Sequence, residues 1–214
     1  QGRMQAAERR VVLTFDDGFG SMWETVLPLL LEFGFRATFF IVPGYVGKTL
    51  WGDPHTRRWS LEERPGRLPF PMMSWDQIVR MSEARMEIGS HTLSHPNLTE
   101  IAEEDARTEI CESKEYLEEK LATRVHGFCF PRGRVNGTLA RLVQESGYHY
   151  ACTTQQAHVT ANSNRFLLPR IPGPASVSDL FFRVNRIPSN LLTESALRLA
   201  RYFETHRLEF RAIT

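Results

Sequence analysis

The chain has 214 residues, 42% of them hydrophobic and 24% charged, enough for one domain with a substantial buried core. Acids and bases nearly cancel to a formal net charge of +1, so no bulk field draws the chain to nucleic acid or to an anionic membrane. The longest apolar stretches, such as Val26 to Leu31, fall far short of the roughly 20 residues that a membrane-spanning helix requires.

At the start, Gln1-Gly2-Arg3-Met4 lacks the basic-then-apolar pattern of a signal peptide, and residues 1–3 read as the remnant of a cleaved tag. A native start at Met4 leans toward the cytoplasm, whereas a trimmed leader would place the protein outside it. Short apolar, β-branched or aromatic runs then recur at Val11 to Phe15, Ala37 to Val42, Met86 to Gly89, Val125 to Phe130, His149 to Thr153 and Phe166 to Ile171. They read as buried strands. Helical patterns lie between them: Met22 to Phe33; Trp75 to Ala84, opened by Ser74 with Gln77 three residues on; Glu103 to Leu121, dense in i,i+4 charge pairs; and Thr138 to Ser146, closed by Gly147. Such alternation predicts an α/β fold on parallel strands in one domain spanning 1–214. The segment Gly44 to Phe70 breaks the pattern and is too long for an ordinary connection, so it reads as an excursion on the substrate side. The three cysteines, Cys111, Cys129 and Cys152, cannot all pair with one another and form no Cys-x-x-Cys motif, so buried free thiols are expected.

Two segments carry chemistry. Thr14-Phe15-Asp16-Asp17-Gly18 puts adjacent carboxylates at the end of the first strand, where a turn or helix cap is the alternative to catalysis. Gly89-Ser90-His91-Thr92-Leu93-Ser94-His95-Pro96 follows a later strand and offers imidazoles four residues apart. That spacing suggests one side of a helical turn, with both rings near enough to share a metal with a carboxylate.

These two segments resemble the first two signature motifs of the polysaccharide deacetylase family, the chitooligosaccharide and peptidoglycan deacetylase-like carbohydrate esterases. Phe128-Cys129-Phe130-Pro131-Arg132-Gly133 resembles the third, and the similarity runs from about Val11 to Ile171. The resemblance implies a distorted (β/α) barrel with fewer than eight regular units. It implies one divalent metal, zinc first, with cobalt or nickel as alternatives, held by Asp17, His91 and His95. Asp16 becomes the general base that deprotonates the attacking water, and the backbone N–H of Arg132 the oxyanion donor. The implied partner is a carbohydrate; the oligomeric state stays open.

Two departures stand out. The family's third motif carries an Arg where this chain has Cys129, so Arg170, in Leu168-Pro169-Arg170-Ile171, is expected to orient Asp16 in its place. The late His-bearing motif that supplies a general acid has no match: His126, His149, His158 and His206 lie in other contexts, His55 falls in the long loop, and no acid is assigned. Lack of that His is similar to the branch acting on poly-N-acetylglucosamine. Trp51 and Trp59, in the irregular segment, are the expected sugar-stacking residues. An N-deacetylase is the leading reading, with an O-deacetylase or deformylase using the same site, or a degenerate carbohydrate-binding module, as alternatives.

Overall fold

Among the described residues five short strands set the architecture: β1 (Leu13–Asp17), β2 (Ala37–Ile41), β3 (Glu87–Ser90), β4 (Gly127–Cys129) and β5 (Tyr150–Cys152). The computed structural model describes residues 11–49 and 71–173. Thr14–Ile171 forms one compact unit; the other comprises Gln1–Leu13 and Pro172–Thr214, of which only 11–13 and 172–173 are described.

The strands lie side by side in chain order, β1-β2-β3-β4-β5, and β2 through β5 pair in parallel. A helix follows each of the first four: α1 (Leu27–Glu32), α2 (Trp75–Glu83), α3 (Glu103–Leu121) and α4 (Gly137–Glu145). Among the described strands the order does not reverse, so they form no switch point of the doubly wound kind, and handed crossovers keep the helices on one side. The result is the sequence-expected distorted (β/α) barrel of fewer than eight units. Side chains alternate as the pleat requires. Phe15 stacks on Phe39 on the outer face at 5.1 Å between ring centroids, while Phe40, Cys129 and Cys152 cluster inside. Gly89 belongs to the inner wall, where a Cβ would lie only 2.5 Å from the Phe40 ring.

Local chemistry explains the helix boundaries. Ser74 and Gln77 form the expected reciprocal capping box at α2. Asn136 caps α4 by accepting from the Leu139 N–H at 2.9 Å, and Gly147 ends that segment at φ 78°. The helix expected over Met22 to Phe33 is instead a π-helical turn at Met22–Val26 running into α1. Pro28, which has no N–H to donate, sits in the first turn of α1, where that loss is harmless. The sixth expected strand, Phe166 to Ile171, is reduced to one parallel bridge between Leu168 and Cys152: the Leu168 N–H donates to the Ala151 carbonyl and the Thr153 N–H to the Leu168 carbonyl, but the next donor, the Arg170 N–H, reaches the Gln155 carbonyl beyond the strand. Cys129 and Cys152 are buried free thiols, and Cys111 is a partly exposed one.

Candidate active site

Asp16, Asp17, His91, His95, Cys129, Arg132 and Arg170 come from four separate places, all at or beyond the carboxyl ends of strands. Four of the six non-glycine residues with positive φ among those described, Asp17, Thr92, His95 and Arg132, lie here. Sparsely populated backbone of this kind persists only when its surroundings over-determine it.

At the end of β1 the pleat keeps Thr14 and Asp16 on the inner face. Arg170 reaches across from the bridge segment and grips Asp16 with a bidentate fork, Nη1 donating to Oδ1 and Nη2 to Oδ2, each at 2.7 Å. Arg170 also donates from Nη1 to Thr14 Oγ1 at 3.2 Å and from Nε to the Thr153 carbonyl at 2.9 Å, so the guanidinium is fixed on both sides. Cys129 adds a weak S–H donor 3.6 Å from Asp16 Oδ2. Burial works to raise the Asp16 carboxyl, but the Arg170 hydrogen bonds, the nearby His91 and the Arg170 charge outweigh it and hold the group below 3.8.

Asp17 escapes that environment because its own φ of 80°, followed by Gly18 at 88°, breaks the strand alternation. Its Oδ1 faces His91 Nε2 at 3.5 Å and His95 Nε2 at 3.6 Å. Burial pushes this carboxyl up to about 6, with His91 and Arg170 opposing and the Asp16 charge reinforcing the rise.

The two imidazoles do not ride on a helix, as their spacing suggests. Residues 91–95 form an irregular loop in which Thr92 and His95 take φ of 65° and 61°, and Pro96 disfavours helical geometry in the residue before it. The Thr92 hydroxyl accepts from the His95 N–H at 2.9 Å, and the rings still meet, 4.9 Å apart and at 65°. His91 Nδ1–H donates to the Cys129 carbonyl at 2.7 Å, which orients the ring so that Nε2 faces Asp17. Burial, then the neighbouring His91 and Arg132, lowers His95 to about 2, so its ring is neutral.

One carboxylate and two imidazole nitrogens therefore converge, with donor atoms within 4.8 Å of one another. The 3.5 and 3.6 Å separations are close to the edge, about 3.4 Å, of a tetrahedron with zinc–nitrogen bonds of about 2.1 Å. The donor set fits a divalent metal. Asp16, His91 and Cys129 form a second cluster of similar compactness, but burial and the Asp16 charge push the Cys129 thiol well above 9, which disfavours the thiolate a metal would need.

Arg132 is exposed in the Pro131–Gly133 turn at φ 57°. Gly133 has φ 67°, and a Cβ there would lie 2.0 Å from Thr154 Oγ1; the same hydroxyl donates to the Arg132 carbonyl at 3.3 Å. Trp51, Trp59, His55 and His206 lie outside the described residues. His126 and His149 stack on one another 4.2 Å apart, at the opposite ends of β4 and β5 from the site, and His158 is exposed in the loop after β5. Thr154, Cys129 as a thiol donor, and Glu109, which binds Ser94 from α3, are contacts that sequence reasoning missed. For Glu109 alone there was a signal, a charge on the inward stripe of a helix.

The family model for polysaccharide deacetylases matches residues 3–151. A poly-β-1,6-N-acetyl-D-glucosamine N-deacetylase of Staphylococcus aureus is 25% identical over 173 residues, covering 77% of this chain and 54% of the relative. The Streptococcus pyogenes deacetylase PplD, solved with acetate, superposes with a TM-score of 0.63 at 25% identity, over 77% of this chain and 65% of that one. IcaB from Ammonifex degensii shares the fold at a TM-score of 0.60 and 21% identity, over 75% and 66% of the two chains. This chain spans about half the length of the curated relatives it matches.

Proposed function

The chain belongs to the polysaccharide deacetylase family, and from that premise we propose that it is a metal-dependent hydrolase removing the N-acetyl group from an N-acetylated amino sugar or its polymer. The observation that carries the proposal is the division of labour between Asp16 and Asp17. One carboxylate is gripped by a guanidinium, while its neighbour faces two imidazole nitrogens. Asp17, His91 and His95 would hold a divalent metal, zinc first, which when bound supplies Lewis-acid polarisation of the acetamide carbonyl and lowers the pKa of water toward about 7.

Asp16, kept anionic by Arg170, would take the proton from the attacking water. The Arg132 N–H, fixed by a left-handed turn braced on Thr154, would stabilise the developing oxyanion. His91 stays oriented through its Nδ1–H bond to the Cys129 carbonyl. Arg170 answers the substitution at Cys129: the charge that a family arginine would bring from β4 arrives from the Leu168 bridge segment. That arrangement favours turnover over a binding-only module, because a module has no use for a charge-stabilised base beside the metal.

The test is acetate release from N-acetylated glucosamine oligomers by the zinc- or cobalt-loaded protein, with O-acetylated sugars and N-formylated sugars in parallel. Release from the N-acetylated substrate, abolished by chelation and restored by metal, is expected. Release from the ester alone would make the protein an O-deacetylase, and loss of formate alone a deformylase. No release from any substrate, with metal bound, would leave the binding-module reading.

A further inference from the structure

The loop bearing both imidazoles lies against α3. The buried stripe of α3 runs through Ala106, Ile110, Ser113, Lys114 and Leu117, and Glu109 falls on it, three residues after Ala106 and four before Ser113. A carboxylate in such a position is costly unless hydrogen-bonded. Its partners are in the loop: the Ser94 N–H donates to Oε2 at 2.8 Å and the Ser94 hydroxyl to Oε1 at 2.5 Å. The Leu93 N–H reaches the Glu109 main-chain carbonyl at 3.2 Å.

One helical turn further on, Ser113 Oγ lies 2.7 Å from Ser90 Oγ. Ser113 and the Tyr148 hydroxyl both donate to the Ile110 carbonyl, at 3.0 Å each, so this second grip is itself anchored. The register is one to one. Glu109 holds Ser94, which immediately precedes His95, and Ser113 holds Ser90, which immediately precedes His91. A loop with two left-handed residues cannot fix ring positions by backbone propensity, so α3 acts as a splint that does so.

Resting on the reading of Asp17, His91 and His95 as a metal centre, we infer that Glu109 is a positioning residue for that centre, setting His95 through its double bond to Ser94. Loss of an outer partner of a ligand typically weakens metal affinity by about 10- to 100-fold.

The test is titration of the apo form of the 214-residue chain with cobalt(II), read by absorption of the bound ion and by competition with a chromophoric chelator, alongside thermal melting of the apo forms. Glu109→Ala should weaken cobalt binding by about 10- to 100-fold at unchanged stoichiometry. Ser94→Ala, which keeps the N–H donor and loses the hydroxyl, should weaken it less, and the double variant should bind no worse than Glu109→Ala alone, because the two residues act as one unit. Glu109→Gln retains an acceptor for the Ser94 N–H and should stay within about threefold of the parent, since geometry rather than charge is at work. A merely structural role would lower the melting temperature while leaving affinity unchanged. Parental affinity in Glu109→Ala overturns the inference, and if that variant fails to fold, parental affinity in Ser94→Ala overturns it instead. Failure of the parent protein itself to bind cobalt would overturn the metal centre, and the inference with it, a result distinct from equal affinities.

Discussion

Asp16 and Asp17 are neighbours in the chain with opposite surroundings. Burial pushes both carboxyls upward, yet Asp16 ends below 3.8 and Asp17 near 6. The difference lies in what each meets: Asp16 has a fixed guanidinium 2.7 Å away on both oxygens, whereas Asp17 faces two imidazole nitrogens at 3.5 and 3.6 Å and no guanidinium fork. The backbone creates the split, since a left-handed Asp17 turns its side chain out of the strand's alternation. A permanent internal cation suits a base that must be ionised before it takes a proton. A carboxylate facing two imidazoles suits an exchangeable cation.

The largest effect should come from exchanging charge at the two positions separately. Asp16→Asn is expected to cut turnover by about 10²- to 10⁴-fold, the range of a lost general base, while metal content after dialysis stays near that of the parent. Asp17→Asn should lose metal and activity together. Parallel acetate-release and metal analyses decide the matter, and equal metal loss in both variants would break the division drawn between the two carboxylates.

Removing the guanidinium should have a smaller effect with a clearer signature. In Arg170→Ala the group that outweighs burial at Asp16 is gone, so the Asp16 carboxyl rises and is protonated over a wider acidic range. The acidic limb of the rate profile should therefore move to higher pH, with a loss of about 10- to 100-fold near neutrality. Arg170→Lys keeps a charge without the planar fork and should fall between parent and alanine variant. An unmoved acidic limb would mean that Asp16 owes its state to something other than Arg170.

How legible this arrangement was in the sequence depended on distance along the chain. Apolar runs and caps within ten residues of one another, such as Ser74 with Gln77 or Gly147 after α4, placed four helices and five strands well. The Arg170 grip on Asp16, 154 residues away, was reachable only because the charge missing at Cys129 demanded a replacement. Errors arose where a local pattern met a stronger constraint. The four-residue spacing of His91 and His95 mimics a helical turn, but Pro96 and the left-handed Thr92 and His95 impose a loop; the last apolar run makes only one bridge to β5, the Arg170 N–H going to Gln155 instead of extending the ladder. Glu109 looked like one more acid on a charged helix; its place on the inward stripe was the signal, and the packing supplies its partner, Ser94.

The smallest effect tests the physical argument away from any metal. At Glu118 on α3 the same contest occurs: burial acts to raise the carboxyl, while hydrogen bonds from Lys114 and the Val125 N–H, then the charges of Lys114 and Arg124, lower it below 4.5. Because the folded-state pKa is depressed, the stabilisation is fully present above the unfolded value near 4.5 and is lost as pH falls through the folded value. Glu118→Gln should therefore flatten the acid side of the stability profile, measured by denaturant unfolding between about pH 3 and pH 6. The change above pH 5 should be under about 1 kcal/mol, since these partners are partly solvated. Turnover at neutral pH should be untouched, because α3 reaches the site through Glu109 and Ser113, about one and a half to two and a half turns earlier, and Glu118 instead ties the helix end to Val125 ahead of β4. If the acid slope survives in Glu118→Gln, a neighbouring cation does not outweigh burial even at this simple pair, and the account of Asp16 loses its independent support.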